Sequence, residues 1–152
     1  VINMTALDGK TPRNMPATAA KSDFDQEGLI LMKNSSANSL ELAAAVTDSP
    51  VAILDQAVVD ATGTVRATRT GEKVGVFLLG CGAIVNVACM TGKTFTIGQA
   101  VYVGQTADDD GHASDSSANS AKKIGHYAGD GVVTSSTGQL IPVILDIPVL
   151  SA

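Results

Sequence analysis

From Gly28 onward the apolar residues come in short runs, and a turn signal interrupts them roughly every 8–12 residues. No other feature constrains the fold as strongly. The interruptions include Lys33-Asn34-Ser35-Ser36, Ala61-Thr62-Gly63, Thr70-Gly71-Glu72, Gly80-Cys81-Gly82, Thr91-Gly92-Lys93, Gly129-Asp130-Gly131 and Ser135 to Gly138, the spacing being most regular from Ala61 to Lys93. Between them lie Leu29 to Met32, the β-branched run Pro50 to Val59, Ala83 to Cys89, Phe95-Thr96-Ile97 and Ala100 to Val103. Val74, Val76 and Leu78 face one way and Phe77 and Leu79 the other, which predicts a strand covered on both sides. In Thr64 to Thr68, Val65 and Ala67 alternate with Arg66 and Thr68, as in a half-buried strand. Short strands so spaced predict a sandwich or barrel rather than alternating βαβ units.

Two segments depart from this rhythm. Residues 39–46 (SLELAAAV) alternate at Leu40, Leu42, Ala44 and Val46, yet Asn38 and Glu41 resemble a capping box and the alanines favour helix. A short helix is expected there. Residues 105–121 hold no side chain more apolar than alanine and predict a surface loop, since nothing in them offsets the entropy of ordering.

The C-terminal stretch Leu140 to Leu150 is a regular alternation. Ile141, Val143, Leu145, Ile147 and Val149 share one face, and Pro142, Asp146 and Pro148 the other. Proline lacks an N–H to give to a ladder, so this strand is expected at a sheet edge or in a bulge. Ile141, Val143, Leu145 and Ile147 are therefore candidate edge-strand contacts, with simple protection against edge-to-edge pairing as the alternative.

Residues 1–27 show no clean period, and Pro12 and Pro16 interrupt them. A poorly ordered terminus is one expectation. The other is an arm that becomes ordered on a neighbouring subunit, with Ile2, Met4, Leu7, Met15 and Phe24 as apolar anchors beside Pro12 and Pro16. The expected division is an extended arm, 1–27, and a β-rich domain, 28–152.

Composition limits the partners. Hydrophobic residues make up 45%, but aromatics only 3%, and tryptophan is absent. Such a core is aliphatic and buries less area per residue, each Å² being worth about 25 cal/mol; oligomerisation is a natural remedy. The net charge of −5 and the scattered lysines and arginines supply no basic stripe, so direct nucleic-acid binding is not expected. No apolar run is long enough to span a membrane, and no basic segment precedes an apolar one at the start, so neither a membrane partner nor a secretory leader is expected.

Candidate chemistry is sparse. His112 and His126 lack the companions of a zinc site. Asp108-Asp109-Asp110-Gly111 with Asp115 offers hard oxygens but not the spacing of an EF-hand, and a solvated loop tip is expected. Cys81 and Cys89 lie too far apart along one extended strand to bridge, although a hairpin between them would change that; buried, reduced thiols are expected. Neither Gly80-Cys81-Gly82 nor any Gly-rich motif provides a nucleophile–base pair. No catalytic residue, metal ligand or cofactor is assigned, and the chain is expected not to be an enzyme.

Between residues 50 and 130 the order of motifs resembles the small decoration (cement, or head-stabilising) proteins of tailed-phage capsids. The matching signals are Glu72-Lys73-Val74-Gly75-Val76, then Gly98-Gln99-Ala100-Val101-Tyr102-Val103, a polar loop, and Lys122-Lys123-Ile124-Gly125-His126-Tyr127-Ala128. The last piece is one residue longer than the family's pattern. The resemblance implies a mainly β fold: a compact β-barrel-like or β-tulip domain with an extended N-terminal arm and at most one or two short helices. It also implies a homotrimer on the outer capsid surface of the virion that stabilises the shell by bridging major capsid protein subunits, with residues 1–27 as the clamping arm. The alternative is a receptor- or glycan-binding β-domain of a phage fibre or surface layer, for which Tyr102, Tyr127 and three phenylalanines are a thin aromatic supply.

Overall fold

The computed structural model describes residues 13–16, 24–34, 39–45, 48–69, 71–104, 110–134 and 136–146. The chain is mainly β: a closed five-strand barrel, an antiparallel five-strand sheet and a two-strand ribbon. The strands are β1 (Arg13–Pro16), β2 (Ile30–Lys33), β3 (Leu40–Leu42), β4 (Pro50–Leu54), β5 (Lys73–Leu78), β6 (Ile84–Cys89), β7 (Thr94–Phe95), β8 (Ala100–Val103), β9 (Ala113–Ser114), β10 (Lys123–Tyr127), β11 (Val132–Val133) and β12 (Gln139–Leu145). Among the described residues the helical content is one 3-10 turn, Ala118–Ser120.

The sheet runs β1-β5-β4-β2-β3 and the barrel β10-β12-β6-β9-β8, while β7 and β11 form the ribbon. Among the described residues every strand pairing is antiparallel except β6 with β9. Val74 and Val76 are buried on one side of β5 and Phe77 on the other, as its two-sided pattern predicts, whereas Leu78 is exposed. Ile30, Ile53 and Phe77 are register neighbours across β2, β4 and β5. They pack into one cluster with the barrel interior, including Val85, Val87, Val101, Val103 and Val143. On the opposite face Leu31, Ala52, Leu54 and Val76 pack with Phe24, Val58 and Ala88.

The joint between sheet and barrel passes through Gly28. Its N–H donates to Leu54 O at 2.9 Å, and its carbonyl accepts from Ala88 N–H at 2.9 Å. Its φ of +80° suits glycine, and a Cβ there would lie 2.8 Å from Ala88 N and 2.9 Å from Asn86 O. Any side chain would push the two layers apart.

Four expectations are corrected. Residues 39–46 do not form a helix: Leu40–Leu42 is strand β3, with Leu42 opposite Leu31 and Leu40 buried. Glu41 caps nothing, because its carboxylate accepts from Asn34 Nδ2 at 2.7 Å. Burial of Leu40 outweighs a helix preference of tenths of a kcal/mol per residue. Second, the polar stretch 105–121 is not wholly a surface loop. Ala113 and Ser114 are buried and close the barrel as β9, between Cys89 of β6 and Val103 of β8. Small residues fit there because a narrow barrel leaves little interior room.

Third, Thr64 to Thr68 makes only an isolated bridge, Val59 to Val65. Val65 is exposed, and Thr68 is the residue that turns inward. Fourth, β12 is no edge strand, since β10 and β6 flank it. Pro142 is accommodated where the β10 ladder ends, at Tyr127 opposite Val143. The Pro142 carbonyl accepts from Ala128 N–H on that side at 2.9 Å, and its nitrogen faces the same way, beyond the last register pair.

Candidate interaction surface

The barrel presents a continuous outer face on β8, β10, β12 and β6. Alternation along each strand sends every second side chain outward. Lys123 stands opposite Tyr102; His126 stands opposite Ala100 on one side and Ile144 on the other; Ile144 in turn stands opposite Ile84. A bulge in β10 between Lys123 and Gly125 sets one extra residue, Ile124, against β8. Gly125 lies so close to β12 that a Cβ would collide with the Ile144 carbonyl oxygen. The bulge and the glycine bring His126 into line with Ile144.

Asp146 organises the polar half of this face. Its carboxylate accepts from Lys123 Nζ at 2.6 Å and from His126 Nδ1 at 2.6 Å. A carboxylate oxygen accepts, so His126 Nδ1 is the donor of this bond. Ile144, 40% exposed, is the apolar centre beside this charged pair. At the rim stands Ile97, 75% exposed, on the turn into β8; Gly98 N–H of that turn donates to Tyr127 O at 2.9 Å. An exposed aliphatic centre edged by a charge pair suits contact with another protein.

A second polar feature lies on the sheet. Arg66 grips Glu72 through its two terminal guanidinium nitrogens, Nη1 and Nη2, and Arg69 N–H adds a bond of 2.8 Å to the same carboxylate. The Arg66 bond and then the Arg69 bond lower the Glu72 carboxyl to about 2. This pair edges an open cleft of about 380 Å³ together with Asp55, Val58 and Lys73. The cleft has no nucleophile–base arrangement.

Few of the sequence candidates meet in one place. Ile2, Met4, Leu7, Pro12 and Ile147 lie outside the described residues. Met15 and Pro16 belong to β1, opposite Val74 and Lys73 of the same chain. Phe24 is 1% exposed in this chain's own core, and its carbonyl accepts from Val58 N–H at 2.9 Å, so it is no contact-arm anchor. The β-rich unit thus reaches back at least to Phe24.

Ile141, Val143 and Leu145 point into the barrel and are buried, so they offer no edge contact. The outward face of β12 belongs to the opposite phase, Pro142, Ile144 and Asp146. Ile144 is the residue that the sequence reading missed. Its signal was an isoleucine in the proline-and-aspartate phase of an alternating strand.

Asp108 and Asp109 are outside the described residues. Among the described residues no three His, Cys, Asp or Glu side chains gather to hold a metal ion. His112 Nε2 lies 2.9 Å from Gln26 Nε2, with the amide nitrogen as donor. Both cysteines are free thiols, and the expectation of two buried thiols holds for one of them: Cys89 is buried and Cys81 exposed. Burial, with Asp115 nearby, pushes the Cys89 thiol far up.

No protein-family model matches the chain, and no curated protein matches it. Among solved structures, it is similar to the N base of head fiber gp8.5 of bacteriophage phi29, with 15% identity and a TM-score of 0.44 over 92% of this chain and 97% of that one. A likeness of that size carries no weight for function.

Proposed function

We propose that the chain is a non-enzymatic structural protein of a virion, which binds the outside of a viral capsid and stabilises it by bridging major capsid protein subunits. The observation that carries this reading is the outer barrel face, where Ile144 and Ile84 lie beside the Lys123–Asp146–His126 cluster. Two strands of that face, β8 and β10, are built from the motifs that resemble phage decoration proteins, and they pair directly. The net charge of −5 fits a module whose partners are proteins rather than nucleic acid. Binding at junctions between subunits gains from multivalency, so each contact can be modest, and a homotrimer suits a three-fold junction.

The test is cosedimentation of the purified chain with mature and immature shells of its own virus. Stoichiometric binding to mature shells alone is expected. Ile144→Lys should weaken that binding at least tenfold while moving the stability of the isolated protein by less than about 0.5 kcal/mol, as exposed substitutions do. Absence of binding to either shell overturns the proposal.

A further inference from the structure

We propose that β1 is an exchangeable strand: residues 13–16 of one copy take the β5 edge of a second copy and so link subunits by strand donation. β1 is the end strand of the sheet and pairs with β5, from Arg13 opposite Val76 to Pro16 opposite Lys73. Its sequence, Arg-Asn-Met-Pro, is a poor strand former, since asparagine and proline are depleted in strands and Pro16 lacks an N–H. Its extended form is imposed by the template beside it. Any copy of the segment delivered to that edge in the same register makes the same bonds.

The acceptor strand is also paired on the side away from β1. β5 is held on its inner side by β4, through Ala52–Leu78, Ile53–Phe77 and Leu54–Val76. Val74 and Val76 are buried beneath it. An unfilled edge over residues 73–76 is a template for an extended segment, and the strand known to fit it is this chain's own.

The tether sets the range. Among the described residues, the first core residue after β1 is Phe24. The eight Cα steps from Pro16 to Phe24 reach at most roughly 26–29 Å, on the order of the diameter of a small domain. A second copy whose β5 edge lies within that span can accept the segment. Donation within one copy and between two forms identical contacts, so concentration and tether decide the balance. Copies held side by side favour exchange, and head-to-tail donation gives a ring where the rotation between copies closes. The proposal concerns contacts between copies and does not depend on capsid binding.

The experiment uses the full chain with Pro16→Cys and Lys73→Cys, in a Cys81→Ser background that removes the exposed thiol. Cα atoms of antiparallel register partners lie about 4.5–5.5 Å apart, within bridging range. After oxidation, non-reducing gels should show covalent multimers that rise several-fold with protein concentration and collapse to monomer on reduction. Sedimentation of the unmodified chain should show the same concentration-dependent multimer, and removal of residues 1–16 should return it to monomer with an unchanged far-UV spectrum. Intrachain cross-links alone at every concentration overturn the proposal. So does an unmodified chain that stays monomeric, or a multimer that survives the deletion.

Discussion

Ile144 and Ile141 are the same residue type three positions apart in one strand, and their roles are opposite. Ile141 is buried in the barrel, whereas Ile144 faces out beside His126. Strand phase decides this, and phase has a period of two. The cysteines divide in the same way. Cys81 should react at once with a thiol reagent in native protein, while Cys89 should react only at the rate of unfolding; a two-step count with Ellman's reagent checks it. Equal, fast labelling of both thiols would contradict the burial of Cys89. Glu72 makes a pH prediction. Its carboxyl is lowered from an ordinary value near 4.5 to about 2, so the stability it contributes is fully present above pH 4.5 and is lost as pH falls through about 2. Glu72→Gln should lower Tm slightly at neutral pH and flatten the dependence of Tm on pH between those limits. The pair is partly exposed, so the effect is small and should shrink in high salt.

At the scale of elements, the strands legible in the sequence were those whose alternation is long and whose flanks carry turn residues. Ile141, Val143 and Leu145 on β12 share one face, as their alternation predicts, and that face is the barrel interior. β3 and β9 were illegible for different reasons. Leu40–Leu42 carries both periods at once, and only its pairing with β2 selects strand over helix. Ala113–Ser114 is too short and too polar to announce itself, and it is a strand because β6 and β8 leave a gap that small side chains fill. A measurable consequence follows for β3. Leu40→Ala should destabilise the protein by about 2–5 kcal/mol, as deletion of a fully buried leucine does, and denaturant melts would show it. A change below 1 kcal/mol would mean that Leu40 faces solvent. The edge placement expected of β12 fails on geometry: a proline is excluded from a ladder only where its missing N–H is required, and Pro142 sits where the β10 ladder has ended.

Across the whole molecule, the barrel and the sheet share one apolar cluster, with Ile30, Ile53 and Phe77 of the sheet packed against Val87, Val103 and Val143 of the barrel. They should therefore unfold together. The chain has no tryptophan and two tyrosines, Tyr102 on β8 and Tyr127 on β10, so tyrosine fluorescence reports on the barrel while far-UV circular dichroism reports on both parts. The two probes should give coincident denaturant transitions; separated midpoints would show that barrel and sheet are independent units. The sequence by itself determined the class of fold, because a period of two and the turn residues act within a few neighbours and need no distant partner. It determined the aliphatic character of the core and the shared face of Ile141, Val143 and Leu145 for the same reason. Only the tertiary structure decided which strands become neighbours, that β12 lies inside a closed barrel, that Phe24 belongs to the core, and that β1 lies on β5. Those outcomes depend on pairings between residues tens of positions apart, and no local pattern carries that information. The outer barrel face joins both levels: each side chain's direction was written in its strand, and the assembly of Ile84, His126, Ile144 and Asp146 into one surface was made by the closure of the barrel.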